Sequence, residues 1–177
     1  SQEIRYAQML SNCQISNDQL RTVFPNIVNE NNHNGSNCFY RPIKSDLLKE
    51  IEEDQHFINF FFNSEESKKL IDFNFFFSKE TFLISACKFG RIELVKLLLQ
   101  QPETNVNIYD DKGNTPLIHA VSQGHFSIVR LLCEEKEDKI NLNQNNFFKR
   151  TAFTFAASTN RIDILKYIAS RKEFNPN

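Results

Sequence analysis

The sequence predicts an all-α protein in which pairs of short helices stack as repeats behind a divergent N-terminal helical capping region. Three observations lead to this prediction. A six-residue segment that begins with Thr and ends with Ala occurs three times, at Thr81, Thr115 and Thr151, so its copies start 34 and 36 residues apart. A Gly or an Asn follows each of these Ala residues by four positions, and apolar residues then recur at helical spacing. A period of this length is typical of a stack of similar helix pairs.

The first helix of each unit has recognisable start and stop signals. Thr is a good N-cap, because its hydroxyl accepts a hydrogen bond from a free N–H of the first turn, and Pro116 fits that first turn. Gly90, Gly124 and Asn160 stand where a short helix ends in the left-handed conformation. Gly adopts that conformation without strain, and Asn is the next-best residue there.

The second helix of each unit follows at once. Its apolar residues mark one buried face: Ile92, Val95 and Leu98 in the first unit, Phe126, Val129 and Leu132 in the second, and Ile162, Leu165 and Ile168 in the third. We therefore expect helix pairs at about residues 81–100, 115–133 and 151–170.

The connections between units also repeat. Similar triplets close the units at Asn105–Asn107, Asn141–Asn143 and Glu173–Asn175, and Asp72–Asn74 is a fourth copy. Gly113 is expected to supply the positive φ of a tight turn between two units. The periodicity thus extends through the loops as well as the helices.

Together, the motifs Thr-Pro-Leu-x-x-Ala, Gly-His, Ile-Val-x-Leu-Leu and Asn-x-Asn resemble the ankyrin repeat, and Asp111–Leu117 is the nearest match. The resemblance covers about residues 72–177 and implies an ankyrin-type helical repeat solenoid. It divides the chain into repeats at approximately 75–107, 108–143 and 144–177. The His that usually follows Thr-Pro-Leu hydrogen-bonds between neighbouring units in the family. Ile84, Ile118 and Thr154 replace it here, so the stack is expected to be less regular.

The chain before these repeats is expected to contain an appendage and a cap. Residues 1–41 are predicted to form a helical appendage with an Asn-rich linker, the linker lying at Asn29–Asn37. Residues 42–74 are predicted to be a degenerate repeat that caps the first clear unit, since terminal repeats of solenoids are usually atypical. Within it, Ser45 is expected to cap a helix that runs to about Glu53.

Composition excludes several classes of function. The 177 residues carry a formal net charge of −1, which gives no electrostatic reason to expect a nucleic acid or an anionic membrane as partner. No apolar run approaches the roughly 18 residues of a membrane-spanning helix. The four cysteines, Cys13, Cys38, Cys87 and Cys133, lack the paired spacing of a disulfide framework or a zinc site. We therefore expect a cytoplasmic chain with reduced thiols, no metal and no cofactor.

No group of residues suggests catalysis, and we do not expect an enzyme. The four histidines are scattered, and there is no Gly-rich phosphate loop. His125 is expected to serve packing, as it commonly does after Gly in ankyrin repeats. His119 is expected to line the concave side of the array, with a ligand role as the alternative. Basic residues gather in the last unit: Lys149, Arg150, Arg161, Lys166, Arg171 and Lys172. Charge segregation along the array is the favoured interpretation, and a patch for an acidic partner is the alternative.

The resemblance implies a module that binds another protein through a concave surface of hairpin tips and first-helix faces. The family's contact positions fall on Glu80, Lys88 and Phe89 in the first unit, on Tyr109, Asp111, Lys112, Asn114, Ser122 and Gln123 in the second, and on Phe147, Phe148, Arg150, Ser158 and Thr159 in the third. Aromatic and Arg residues are the usual anchors of interfaces, which favours Phe89, Tyr109, Phe148 and Arg150. Local packing is the alternative for each phenylalanine in a chain with 18 of them.

Two other functions stay open at this point: a structural component of a large, for example cytoskeletal, assembly, and the repeat region of a larger regulatory protein. The last second helix bears on both. Its apolar residues, Ile162, Ile164, Leu165, Tyr167 and Ile168, cover more than one stripe of the helix. Some of them, Ile164 and Tyr167 in particular, are therefore expected to be covered by a further repeat beyond Asn177, by a partner or by a symmetry mate.

Overall fold

The computed structural model describes residues 48–49, 52–53, 55–63, 76–77, 80–136 and 139–175. The appendage predicted over residues 1–41 lies outside the described residues. Residues 48–49 and 52–53 are helical, and helix α1 (Gln55–Ile58) continues into a π-helical turn (Asn59–Asn63). Two short strands, β1 (Phe76–Phe77) and β2 (Glu80–Thr81), then pair antiparallel, with Phe76 opposite Thr81.

Three helix pairs follow, at the positions that the repeat predicts. They are α2 (Phe82–Lys88) with α3 (Ile92–Gln100), α4 (Pro116–Gln123) with α5 (Phe126–Glu135), and α6 (Ala152–Ser158) with α7 (Ile162–Ala169). First helices pack on first helices and second helices on second helices along the chain. The described residues therefore form an all-α repeat solenoid with one short β-hairpin.

The predicted N-caps are present in all three units. The hydroxyl of Thr115 accepts a hydrogen bond from the Ile118 N–H at 3.2 Å, and Thr81 caps α2 in the same way. In the third unit the cap is reciprocal, because the Thr154 hydroxyl also accepts from the Thr151 N–H at 2.9 Å. Each first helix thus begins where its Thr satisfies an otherwise free backbone donor.

The first helices end at the predicted left-handed residues. Gly90, Gly124 and Asn160 have φ values of 73°, 78° and 56°. In each case the N–H of the next residue donates to the carbonyl of the Ala that ends the repeated six-residue segment, at 2.9 Å, as Arg161 does to Ala156. The glycines have a second role, because a Cβ on Gly124 would lie 2.5 Å from the Cζ atom of Arg161 in the following repeat.

The core runs without interruption along the stack. It contains Leu83, Leu98, Leu117 and Leu132, all almost fully buried, and it includes the thiols of Cys87 and Cys133. Ile84 and Ile118, which replace the family's usual His, are buried in the same stack. Their apolar side chains contribute packing at positions where a His would contribute hydrogen bonds.

Asparagine side chains make several of the hydrogen bonds between neighbouring units. Asn107 donates through Nδ2 to the Lys139 carbonyl at 2.6 Å and accepts from the Asn141 N–H at 2.8 Å. Asn143 repeats this arrangement one unit later, donating to the Glu173 carbonyl at 2.8 Å and accepting from the Asn175 N–H at 2.9 Å. Asn107 and Asn143 therefore link successive repeats, and we call these two residues the asparagine clasps.

The segment predicted as a cap packs against the first repeat. Leu48, Ile58 and Phe62 are buried in the common core. The Glu52 carboxylate accepts from the Glu93 N–H at 2.9 Å, at the start of α3. A carboxylate at this end of a helix is stabilised by the free N–H groups and the helix dipole.

The prediction that some of the five apolar residues of the last helix need cover from outside the chain is wrong for Ile164, and it stays a prediction for the residues that keep exposed surface. Ile164 and Ile168 are fully buried. Leu165 and Tyr167 are half-buried against the core, and the Tyr167 ring meets Phe126 edge to face at 5.6 Å. Of the five, Ile162 is the one that stays exposed, at 49%. The rest of the chain thus covers one stripe of α7 fully and the other in part, which the helical period alone does not reveal.

Candidate functional site

The hairpins that connect the repeats are built around a buried polar side chain. In the hairpin of residues 110–114, the Oδ1 atom of Asp110 accepts from the N–H groups of Lys112 and Asn114 at 2.9 and 2.8 Å. The Asp110 N–H donates in turn to the Asn114 carbonyl at 3.1 Å. The tip between them is closed by Gly113, whose φ of 79° confirms the predicted turn.

The hairpin of residues 146–150 has the same frame with different side chains. Asn146 replaces Asp110, and its Oδ1 atom accepts from the N–H groups of Phe148 and Arg150 at 3.0 Å each. Lys149 occupies the position of Gly113 and adopts a φ of 58°. A left-handed lysine is not expected from its residue type. Its position is nevertheless equivalent to that of Gly113, 36 residues earlier.

Two hydrogen bonds join these hairpins into one surface. The Asn146 amide donates to the Asn114 Oδ1 atom at 2.8 Å, and the Phe147 N–H donates to the Lys112 carbonyl at 3.1 Å. The second bond brings the Phe147 backbone over Gly113, where a Cβ would lie 2.8 Å from the Phe147 nitrogen. The two tips are therefore held in a fixed relative position.

Asp110 also binds the ring of His119, whose Nε2 atom lies 2.9 Å from Oδ2. Burial disfavours the ionised carboxyl, but hydrogen bonds from the Asn114 and Lys112 N–H groups and the His119 ring outweigh it and hold the pKa of Asp110 below its ordinary value. The His119 side chain is mostly buried, and its bond to Asp110 helps to hold the hairpin of residues 110–114. His125 packs as expected, over Gly90 of the preceding unit.

Three aromatic side chains are exposed on the hairpin tips. Tyr109, Phe147 and Phe148 expose 49%, 66% and 69% of their surfaces. The rings of Tyr109 and Phe147 meet edge to face with centroids 5.8 Å apart, so they bridge two successive hairpins. We call these three residues the aromatic cluster.

None of the fourteen residues that the resemblance selects is buried. Those on the exposed surface are Tyr109, Asp111, Lys112, Gln123, Phe147, Phe148, Ser158 and Thr159, and those that are half-buried are Glu80, Lys88, Phe89, Asn114, Ser122 and Arg150. Phe89 is half-buried against the core, which agrees with local packing as well as with partner contact. The contact role of all fourteen stays a prediction.

Charged side chains of this surface have different partners in different repeats. In the first unit, the Lys88 Nζ atom lies 2.6 Å from Glu80 Oε1. In the third unit, the Arg150 guanidinium stacks 3.9 Å above the Phe155 ring and donates to the Ser158 hydroxyl. The equivalent places along the array thus carry an ion pair at one end and a stacked cation at the other.

The two cysteine thiols among the described residues are buried. Burial raises the pKa of Cys133 to about 11 and also raises the pKa of Cys87, so both thiols are protonated at neutral pH. In the described part of the chain, no three His, Cys, Asp or Glu side chains are grouped so that they could hold a metal ion. No helix in that part has the length and apolarity needed to cross a bilayer.

A sequence model of ankyrin repeats in three copies matches residues 52–146 and 83–177, so the chain belongs to the ankyrin-repeat family. Ankyrin repeats are in general protein–protein interaction modules. Among solved structures, the chain is similar to one described as "Bd0816 Predatory Endopeptidase from Bdellovibrio bacteriovorus in complex with immunity protein Bd3460". The identity is 28%, the TM-score is 0.48, and the match covers 54% of this chain and 48%, about half, of that one. No curated protein matches the sequence.

Proposed function

We propose that this protein binds a protein partner through the concave surface of its repeat array, with the hairpin tips as the main contact. The aromatic cluster is the observation that carries the proposal. Contiguous aromatic side chains on a surface are typical of interaction sites, since burying them against a partner removes a large apolar area from water. Phe147 and Phe148 expose about two thirds of their surfaces, whereas the other large apolar side chains described, Tyr109 and Ile162 apart, are buried or half-buried.

The rigidity of the hairpins supports this function. Asp110 and Asn146 each fix the hairpin backbone, and the two bonds between the hairpins fix the tips relative to each other. A partner that binds here does not have to order a loose loop, so less of the binding free energy is lost to conformational entropy.

The test compares the proteins that are captured by the immobilised wild-type chain with those captured by a Phe147→Ala, Phe148→Ala variant. We expect the variant to lose a defined set of partners, with binding weakened by about thirtyfold, the effect of an interface residue worth about 2 kcal/mol. Its melting temperature should hardly change, because both side chains are exposed.

Ile162→Ala is the matched control, because this residue is exposed on α7, away from the hairpin tips. It should capture the same proteins as the wild type. If the double variant also captures them all, the hairpin surface is not the binding site. If changes within residues 1–41 abolish capture instead, the appendage is.

We infer in addition that the protein acts without catalysis, as an adaptor or scaffold in the cytoplasm. The buried, protonated thiols of Cys87 and Cys133 support this, since neither is available as a nucleophile and both suit a reducing compartment. Fractionation of the native cells, followed by detection of the protein, tests the location.

A further inference from the structure

One position of the concave surface changes sign along the array. Glu80, Asn114 and Arg150 occupy the same place in successive repeats, directly before the Thr that caps the first helix. The residue is therefore acidic in the first repeat, neutral in the second and basic in the third. A partner that lies along this surface meets a gradient of charge.

In the first two repeats the carboxylates of Glu80 and Asp110 have partners within their own repeat. The Glu80 carboxylate binds both the Lys88 ammonium and the Ser85 hydroxyl. The Asp110 carboxylate binds His119 and two backbone N–H groups. Both carboxylates are thus held by partners of their own repeat, and the exposed acidic residue of the second hairpin is Asp111.

The hairpin and first helix of the third repeat carry positive charge and no carboxylate, and the acidic residues of this repeat, Asp163 and Glu173, come later in the chain. Residues 144–162 contain Lys149, Arg150 and Arg161 and no Asp or Glu. Lys149 is exposed at the hairpin tip and directly follows Phe148, whose ring is exposed too. A basic pair therefore adjoins the aromatic cluster.

Arg150 is arranged to bind a carboxylate. Its Cζ atom lies over the Phe155 ring, 3.9 Å from the ring centroid, and the guanidinium donates to Ser158, so its position is fixed by two contacts. A guanidinium has five N–H donors in a planar fork, and Ser158 uses one of them. The planar fork matches the two oxygens of a carboxylate, and a stacked guanidinium loses little entropy on binding one.

From this geometry we propose that the partner docks on the third hairpin as an acidic peptide segment that also presents an apolar or aromatic side chain. The carboxylates bind Lys149 and Arg150, and the apolar side chain packs on Phe147 and Phe148. This inference rests on the proposed function and adds to it the chemistry of the partner segment. Because Lys149 is exposed and Arg150 is only half-buried, binding falls as ionic strength rises.

The test selects a random peptide library, displayed on phage, against the immobilised full chain at low and at high salt. Selections against a Lys149→Glu, Arg150→Glu variant and against Lys166→Glu are run in parallel. Lys166 is an exposed lysine of the same repeat on α7, so it matches the change in charge away from the hairpin. Lys149→Glu alone serves as a second variant, because it leaves the Arg150–Phe155 stack intact.

We expect the enriched peptides to combine net negative charge with an apolar or aromatic residue. The dissociation constant of the best peptide, measured by fluorescence anisotropy, should rise by roughly tenfold with the Lys149→Glu, Arg150→Glu variant, and by less than twofold with Lys166→Glu. Replacing the peptide's Asp and Glu with Asn and Gln should weaken binding to a similar degree.

Each of the following results would overturn the inference. The enriched peptides could lack negative charge yet depend on Phe147 and Phe148, in which case the proposed function stands and the acidic chemistry falls. Acidic peptides could bind the charge-reversed variant as well as they bind the wild type, or no peptide could be enriched. A single-stranded oligonucleotide could displace the peptide with equal affinity, which would identify a nucleic-acid surface instead. Enriched peptides that ignore both the aromatic and the charge substitutions would remove the proposed function itself.

Discussion

Asp110 and Asn146 hold the same place in successive hairpins and form the same pair of bonds to the backbone through Oδ1. They differ in the second polar atom of the side chain. Asp110 has a second oxygen, which accepts from His119 in its own repeat, whereas Asn146 has an amide, which donates back to Asn114 of the preceding repeat. The choice between an acid and an amide therefore decides whether the bond is made within a repeat or between two.

Replacing Asp110 with Asn should lower the stability of the protein in a pH-dependent way. The pKa of Asp110 is lowered from 3.8 in the folded state, so its carboxylate stabilises the fold above about pH 4, and this contribution is lost as the pH falls through the lowered value. We expect Asp110→Asn to cost about 1–2 kcal/mol at pH 7 and progressively less below pH 4. Urea unfolding at several pH values measures the difference.

Asp111→Asn is the control for that measurement, because Asp111 is the neighbouring, exposed aspartate. Its effect should stay within about 0.5 kcal/mol at every pH. A cost of Asp110→Asn that is the same at pH 7 and at pH 3 would show that the ionised form contributes nothing.

Gly124 and Asn160 allow a second comparison at the scale of one residue. Both have positive φ, but Gly124 also lies against Arg161 of the next repeat. We expect Gly124→Ala to cost about 1–2 kcal/mol, since it adds left-handed strain and displaces the Arg161 side chain. Asn160→Gly should be neutral or mildly stabilising, because Gly reaches the same φ without steric cost. Thermal unfolding of both variants measures this, and a stabilising Gly124→Ala would contradict the account.

At the scale of the elements, the asparagine clasps set the spacing between repeats. Each one bonds a carbonyl and an N–H of the following unit, so it fixes both the distance and the register of the two loops. The family usually makes its bond between units through the His of the first helix. In this chain the asparagine clasps of the loops make bonds of this kind, and Ile84 and Ile118 are buried at the positions of that His.

Asn143→Ala should therefore destabilise the third repeat. It leaves the Asn175 N–H and the Glu173 carbonyl without their partner, and we expect a cost of about 0.5–1.5 kcal/mol, because water replaces part of the bonding at this exposed site. Hydrogen exchange of the amides around residues 170–175 should speed up as well. Asn145→Ala, at an exposed Asn of the same loop, should change neither quantity by a measurable amount.

At the scale of the whole molecule, stability comes from a core that each repeat shares with its neighbours. Leu98 and Leu132 are fully buried at equivalent places in α3 and α5. A repeat array of this kind depends on the interfaces between units as much as on the units themselves. The shared core predicts that damage to one unit weakens the adjoining units too.

Leu132→Ala tests this prediction, because it removes a side chain from the middle of the core. We expect a loss of about 2–5 kcal/mol in the free energy of unfolding, with the same for Leu98→Ala. Ile162→Ala, at an exposed apolar residue, should cost far less. A loss below about 1 kcal/mol for Leu132→Ala would contradict the packing of α5.

Features that depend on residues close together in the chain could be predicted from the sequence alone. Thr115 caps a helix, Gly124 ends it and Leu132 is buried, because a cap, a left-handed residue and a helical stripe are each set within a few residues. The repeat then carried these local assignments from one unit to the next. The fold class, the helix pairs and the turn at Gly113 could therefore be predicted.

Only the tertiary structure decided what depends on contacts between units. The ring pair of Tyr109 and Phe147, the bond from Asn146 to Asn114 and the coverage of Tyr167 by Phe126 all join residues more than 30 positions apart. Lys149 adopts a positive φ because it occupies the same place in its hairpin as Gly113, but a lysine gives no signal of this in the sequence. Periodicity gives the direction of each side chain relative to its own helix. It does not give the width of the neighbouring unit or the height of the next hairpin, and these determine which apolar residues are covered and which remain on the surface.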